Sequence, residues 1–312
     1  MRYASMSRDL AQTPGRKSAA FRAYREYPHR TIAIIYDFDG TLSPLSMQEY
    51  TVFPELSIDP RTFWSEVKRV TKENEASEVL TYMRMMAERI VQGKLAINRE
   101  RLGALGSHIE YFPGVETWFD RMNGFVRNQT LGYVRLNHYI VSSGLREILQ
   151  GTSIAKHFRS IFASQYHYDS FGRPVFVDRV ITDVSKTQYI FRINKGVENL
   201  AESVNDHMAE DERPIPFSNM IYLGDGDTDV PSMAVTRKNG GHAFAVYSRG
   251  EDPQKCEILF KANRVDAYFE ANYSPNSRLE IFVKNLLKKM IAEIRYKAML
   301  HLFKEERSTQ GL

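Results

Sequence analysis

The chain has 312 residues, enough to bury a sizeable core, and its 43% hydrophobic and 26% charged residues are the composition of a soluble globular protein. No apolar run approaches the roughly 20 residues that cross a bilayer, so a membrane span is excluded as an expectation. The net charge of +4 is concentrated in residues 1–30, where seven Arg or Lys face Asp9 and Glu26; the remainder holds 35 basic against 36 acidic residues, so nucleic acid is not an expected partner of the body.

Taken in chain order, residues 1–30 read as a basic N-terminal extension whose Arg content is compatible with organellar import, although the expected compartment is cytoplasmic. Five short apolar runs follow as predicted strands: Thr31–Tyr36, His138–Val141, Ile161–Ala163, Met220–Leu223 and His242–Tyr247. Amphipathic segments alternate with them, which predicts an α/β fold with a Rossmann-like parallel sheet flanked by helices. About a hundred residues separate the first two runs, far more than a crossover helix needs.

Within that interval Asp59-Pro60 reads as an N-cap followed by proline at the first helical position, with Phe63, Val67 and Val70 at helical spacing after it. Val79, Met83, Met86 and Ile90 repeat the pattern. Residues 45–110 are therefore expected to be a mainly helical insertion, and residues 31–44 and 111–312 the sheet domain, re-entered through a helix opening at Pro113. "QYHYDSFGRPVFVDRVI" predicts a short hairpin turning at Phe171-Gly172. Ser277 and Glu280 form a capping-box pattern, and Val283, Leu286, Leu287, Met290, Ile291 and Ile294 then give one apolar helix face, best read as packed on its own domain. The single Cys256 cannot form an intramolecular disulfide and has no Cys or His cluster near it.

The chemistry gathers at the ends of the strands, where ligands bind in parallel sheets. "IIYDFDGTL" puts Asp37 and Asp39 directly after the first strand. An acid there costs desolvation unless it meets a cation or donors, so the pair implies a metal or a reacting group. Asp225 and Asp229, in "GDGDTD", follow another apolar strand. Four carboxylates in convergence suit a hard divalent cation, and magnesium favours few carboxylates together with water and phosphate oxygens. Gly40 and Gly226 allow close approach of the backbone to a ligand, Ser142 supplies a hydroxyl and Lys186 a positive charge. Carboxylates, metal, hydroxyl and lysine are the parts of phosphoryl transfer.

In this order the segments resemble the haloacid dehalogenase superfamily: "DFDGTL" is similar to its first motif, "IVSSG" to its second, Lys186 to its third and "GDGDTD" to its fourth. The resemblance covers the sheet domain, about two-thirds of the chain, and the insertion falls where the phosphoserine phosphatase-like branch carries a helical cap. It implies that Asp37 attacks phosphorus, that Asp39 protonates the leaving alcohol and later deprotonates the attacking water, and that Asp37, Asp225 and the backbone carbonyl of Asp39 hold Mg2+ directly, with Asp229 acting directly or through a water. It implies too that Ser142 and Lys186 hold phosphoryl oxygens, with N–H groups from Phe38 to Gly40 and at Ser143. Glu49 is the candidate for the substrate-reading glutamate of that branch. The second motif reads Ser-Ser-Gly where those enzymes commonly have Ser-Gly-Gly. The expected function is a phosphatase acting on a small phosphorylated metabolite. A phosphotransferase or mutase using the same residues, and a non-catalytic binding or regulatory protein of the same fold, remain as alternatives.

Overall fold

The computed structural model describes residues 23–93, 97–226 and 228–309. Among these, seven strands form one sheet: β1 (Thr31–Tyr36), β2 (Arg135–Leu145), β3 (Phe158–Tyr168), β4 (Pro174–Arg179), β5 (Met220–Gly224), β6 (His242–Tyr247) and β7 (Ala267–Glu270). Their order is β4-β3-β2-β1-β5-β6-β7, and every neighbouring pair is parallel except β3 and β4. β1 lies at the centre, with Tyr36 opposite Ile140 on one side and Leu223 on the other.

The central position explains why β1 is apolar without interruption. Its alternate residues face opposite sides of the sheet, so Ile32, Ile34 and Tyr36 enter one core while Ala33 and Ile35 enter the other, all of them fully buried. Among the described residues six α-helices lie between β1 and β2, and the first five are α1 (Met47–Tyr50), α2 (Val52–Leu56), α3 (Pro60–Glu73), α4 (Glu78–Gln92) and α5 (Arg99–Leu105). They share the first core with α6 (Val115–Thr130) and with α11 (Arg278–Thr309). The second core is closed by α8 (Lys186–Lys195), α9 (Val230–Lys238) and α10 (Gln254–Lys261), while the short α7 (Arg146–Gln150) follows β2 on the first side.

Local signals in the sequence set several of these boundaries. The Asp59 carboxylate accepts from the Thr62 N–H at 2.8 Å and caps α3 as its position before Pro60 predicts. Ser277 accepts from the Glu280 N–H at 3.1 Å, but the return half of the expected capping box differs, because Glu280 accepts from the N–H of Asn276 instead of Ser277. The β3-β4 hairpin forms, with Asp169 accepting from the N–H groups of Phe171 and Arg173 inside its turn. α6 begins at Val115, two residues after Pro113.

Two differences from the predicted strands have physical causes. β2 and β3 each run to eleven residues, because the polar residues at their ends pair in the ladder although they interrupt the apolar run. β7 has no counterpart among the predicted runs: all four of its residues are half-buried at the sheet edge, so the segment shows neither a buried run nor an apolar-polar alternation. Within residues 23–30, at the end of the expected extension, Tyr27 is buried and Tyr24 stacks on Tyr133 at 4.9 Å. The rest of the predicted extension, 1–22, lies outside the described residues.

Candidate active site

β1, β2 and β5 are adjacent and parallel, so the residues that follow them emerge at one edge of the sheet. Asp37 follows β1 and is held by its own N–H, which donates to the Leu223 carbonyl of β5 at 3.0 Å. The turn after it is tight: the Phe38 carbonyl accepts from the N–H groups of Thr41, Leu42 and Ser43. Gly40 has φ +73°, and a Cβ there would come within 2.7 Å of an Asp225 carboxylate oxygen, so glycine is required both for the turn and for the approach of Asp225. The Gly40 N–H donates to the Ser43 carbonyl at 2.8 Å, which leaves Gly40 a conformational role in place of the donor role expected of it. The Phe38 ring packs in the core, and the donor role expected of this residue belongs to its N–H.

Lys186, the first residue of α8, is completely buried. Its ammonium lies 3.0 Å from Asp37 Oδ1 and donates to Asp229 Oδ1 at 2.8 Å and to the Thr228 hydroxyl at 3.1 Å. The Tyr222 hydroxyl also donates to Asp229 Oδ1, at 2.7 Å. Burial alone would lower the lysine pKa; Asp229 and Asp37 outweigh it and hold the pKa above its ordinary value. Burial, then the charge on Asp229, pushes Asp37 up to about 6 against the pull of Lys186. Asp39 is pushed up to about 8 by burial and by Asp37, although the Met47 N–H donates to its Oδ1 at 2.9 Å.

Carboxylate oxygens of Asp37, Asp225 and Asp229 lie within 4.8 Å of one another. Asp229 Oδ2 is buried and has no hydrogen-bond partner among the described residues. Three converging acids, one of them with a buried oxygen that lacks a hydrogen-bond partner, fit a hard divalent cation. Ser142, near the end of β2, is buried and its Oγ accepts from the Gly144 N–H at 3.0 Å. Ser143 turns its carbonyl to the Tyr82 hydroxyl of α4, which donates at 2.7 Å. Glu49, half-buried in α1, accepts from Trp64 Nε1 at 3.2 Å.

A cavity of about 890 Å³ opens in front of these groups. Asp37, Asp39, Ser142, Ser143, Lys186 and Asp225 line its sheet side, and Glu49, Trp64, Lys68 and Tyr82 line the side formed by the helices between β1 and β2. Asp229 stands behind Lys186 and does not line the cavity. Tyr222, Thr228, Trp64 and Tyr82 were not singled out by sequence. For the three aromatics the signal is weak for a reason: an aromatic residue on a strand or helix stripe reads as core, and only the partner of its polar atom shows otherwise.

The sheet order and the placement of the acids define a haloacid dehalogenase fold. Two solved structures share it: a HAD family hydrolase from Salmonella enterica serovar Typhi, 13% identical with a TM-score of 0.52 over 81% of this chain and 73% of that one, and a probable phosphoserine phosphatase from Vibrio cholerae, 11% identical with a TM-score of 0.52 over 88% of this chain and 69% of that one. No protein-family model matches the chain. It is 30% identical over 273 residues to an uncharacterized protein of Borreliella burgdorferi, spanning 80% of this chain and 93% of that protein, and it belongs to the same family as that protein.

Proposed function

We propose that the chain is a magnesium-dependent phosphatase that hydrolyses a small phosphomonoester through a phosphorylated Asp37. The observation that carries this reading is the convergence of Asp37, Asp225 and Asp229 beside Lys186, on the sheet side of a cavity that Ser142 and Asp39 also line. Magnesium, held by Asp37, Asp225 and Asp229, would supply positive charge against the phosphoryl oxygens.

The protein's own groups divide the remaining work. With a pKa of about 6, Asp37 is largely ionised at neutral pH and attacks phosphorus, while Lys186 and the Ser142 hydroxyl hold the equatorial oxygens. Asp39, pushed up to about 8, is protonated at the same pH, and because its Oδ1 accepts from Met47 the proton sits on Oδ2. The P–O bond to the leaving alcohol breaks as that proton passes to the alcohol. Asp39, now ionised, takes a proton from water, whose oxygen attacks phosphorus and releases phosphate and free Asp37.

The helices of 45–110 act in this reading as a cap that excludes bulk water and selects the alcohol, with Glu49, Trp64 and Lys68 at the selecting wall. A cavity of about 890 Å³ between the sheet edge and these helices suits a small metabolite better than a macromolecular substrate. The buried Cys256 has no second cysteine to pair with, which supports a cytoplasmic setting. The test is phosphate release from a panel of amino-acid, sugar, nucleotide and cofactor phosphates, with and without magnesium. Turnover that requires the metal and is lost in Asp37→Asn supports the reading; a folded, magnesium-binding chain inert across the panel counts against it.

A further inference from the structure

We propose that Tyr82 is a positioning residue for the phosphoryl site: from helix α4 it fixes the peptide between Ser143 and Gly144, and through that peptide it aims the Ser142 hydroxyl. The inference rests on the phosphatase reading and adds to it a device by which the inserted helices act on the end of β2 that carries Ser142.

Both ends of one peptide group are held. Its carbonyl, on Ser143, accepts from the Tyr82 hydroxyl at 2.7 Å. Its N–H, on Gly144, donates to Ser142 Oγ at 3.0 Å. The peptide is planar, so fixing its carbonyl direction fixes its N–H direction as well. A serine hydroxyl has one proton to donate and two lone pairs to accept with. Because Ser142 Oγ accepts from Gly144, its own proton is left to point away from that N–H, toward the cavity that Ser142 lines with Asp37 and Lys186. Release of the Ser143 carbonyl frees the plane to rotate, and a glycine at 144 makes the rotation easy. The Gly144 N–H then leaves Ser142, and the hydroxyl loses its fixed orientation.

Ring packing alone does not account for Tyr82. Its ring is edge-on to Trp64 at 5.8 Å, a contact that phenylalanine would keep. The hydroxyl is different: it sits at the cavity wall on a carbonyl of the end of β2 that carries Ser142, a reach across 61 positions in sequence. Burial raises the phenol pKa, so the group stays a donor at all working pH values. The same helix provides a control. The Tyr166 hydroxyl donates to the Met83 carbonyl, one residue along α4, at 2.6 Å, and so fastens the helix to β3 and not to the Ser143 carbonyl.

The experiment is a double-mutant cycle on the best substrate of the panel, with Y82F, S142A and the double variant, and Y166F as the control. Circular dichroism checks that Y82F, which keeps the ring, retains its fold. Y82F is expected to lower kcat about tenfold with little change in KM, the loss of one oriented hydrogen bond. In the S142A background the same change is expected to cost under roughly twofold, because the group it acts through is gone. Y166F is expected to lower Tm while kcat stays within roughly twofold of wild type. An equal Y82F cost in both backgrounds, or a Y166F effect on kcat matching that of Y82F, overturns the positioning role and leaves the phosphatase reading standing. A wild-type chain that turns over nothing overturns both.

Discussion

Lys186 is a cation sealed between two carboxylates, and what it is worth depends on which of its partners remain. A buried ion pair gains little over an apolar replacement, but removing one member leaves the others uncompensated, at a cost of about 3–5 kcal/mol. Lys186→Met leaves Asp37 and Asp229 facing each other without a counter-charge. Metal-free K186M is therefore expected to unfold at distinctly lower denaturant than wild type, and magnesium is expected to recover more stability in the variant than in wild type; equilibrium unfolding with and without the ion measures both. His138 gives a second prediction at this scale. It is buried beside Tyr36, whose hydroxyl accepts from Trp118, and burial lowers its pKa from 6.5 to about 3. The unfolded chain thus takes up a proton below pH 6.5 that the folded chain refuses until near pH 3. The contribution of His138 is complete above pH 6.5 and is lost as the pH falls through that window, by about 2 kcal/mol between pH 7 and pH 5. In His138→Gln the difference between unfolding free energies at pH 7 and pH 5 is expected to shrink by that amount.

At the scale of elements, α11 is held to α6 through one buried acid. Glu280 accepts from Arg121 of α6 at 2.8 Å and lies 3.1 Å from the Lys284 ammonium, and it also takes the N–H of Asn276. Glu280→Gln removes the charge from these bonds and is expected to cost about 1.5–3 kcal/mol, read as a lower Tm, with turnover retained because the residue is far from the cavity in sequence and lines none of it. Elements were legible where burial was complete. β1, β5 and β6 are central and closely match the predicted runs, since two-sided burial writes itself as a continuous apolar segment. β7 was not legible, because an edge strand of half-buried residues has no pattern of its own. The site divides the same way. Asp37, Asp39, Ser142, Asp225 and Asp229 could be picked out because polar residues at the ends of apolar strands are conspicuous, and Lys186 as a charge just ahead of an amphipathic helix; Tyr82, Tyr222 and Thr228 could not, because their importance lies in partners supplied by tertiary packing.

Over the whole molecule, charge and packing separate the N-terminal segment into two parts. The first 30 residues carry a net +5, whereas the body is close to neutral. Tyr27 is buried in the core, so a truncation must stop before it to test the tail alone. Removal of residues 1–22 is expected to leave phosphatase turnover and Tm unchanged and to abolish any salt-sensitive binding to polyanions; removal of residues 1–30 is expected to lower Tm as well, through the loss of Tyr27. Turnover lost with the shorter truncation would instead make the tail part of the active protein. Among the described residues no helix is long and apolar enough to cross a membrane. The central claim is that a carboxylate at the end of β1 attacks phosphorus, and the most direct measurement is phosphate release by wild type and Asp37→Asn on the phosphomonoester panel, at fixed magnesium and after its removal. Turnover in wild type that disappears both without magnesium and in the folded D37N variant is the predicted result. Undiminished turnover by D37N would contradict it.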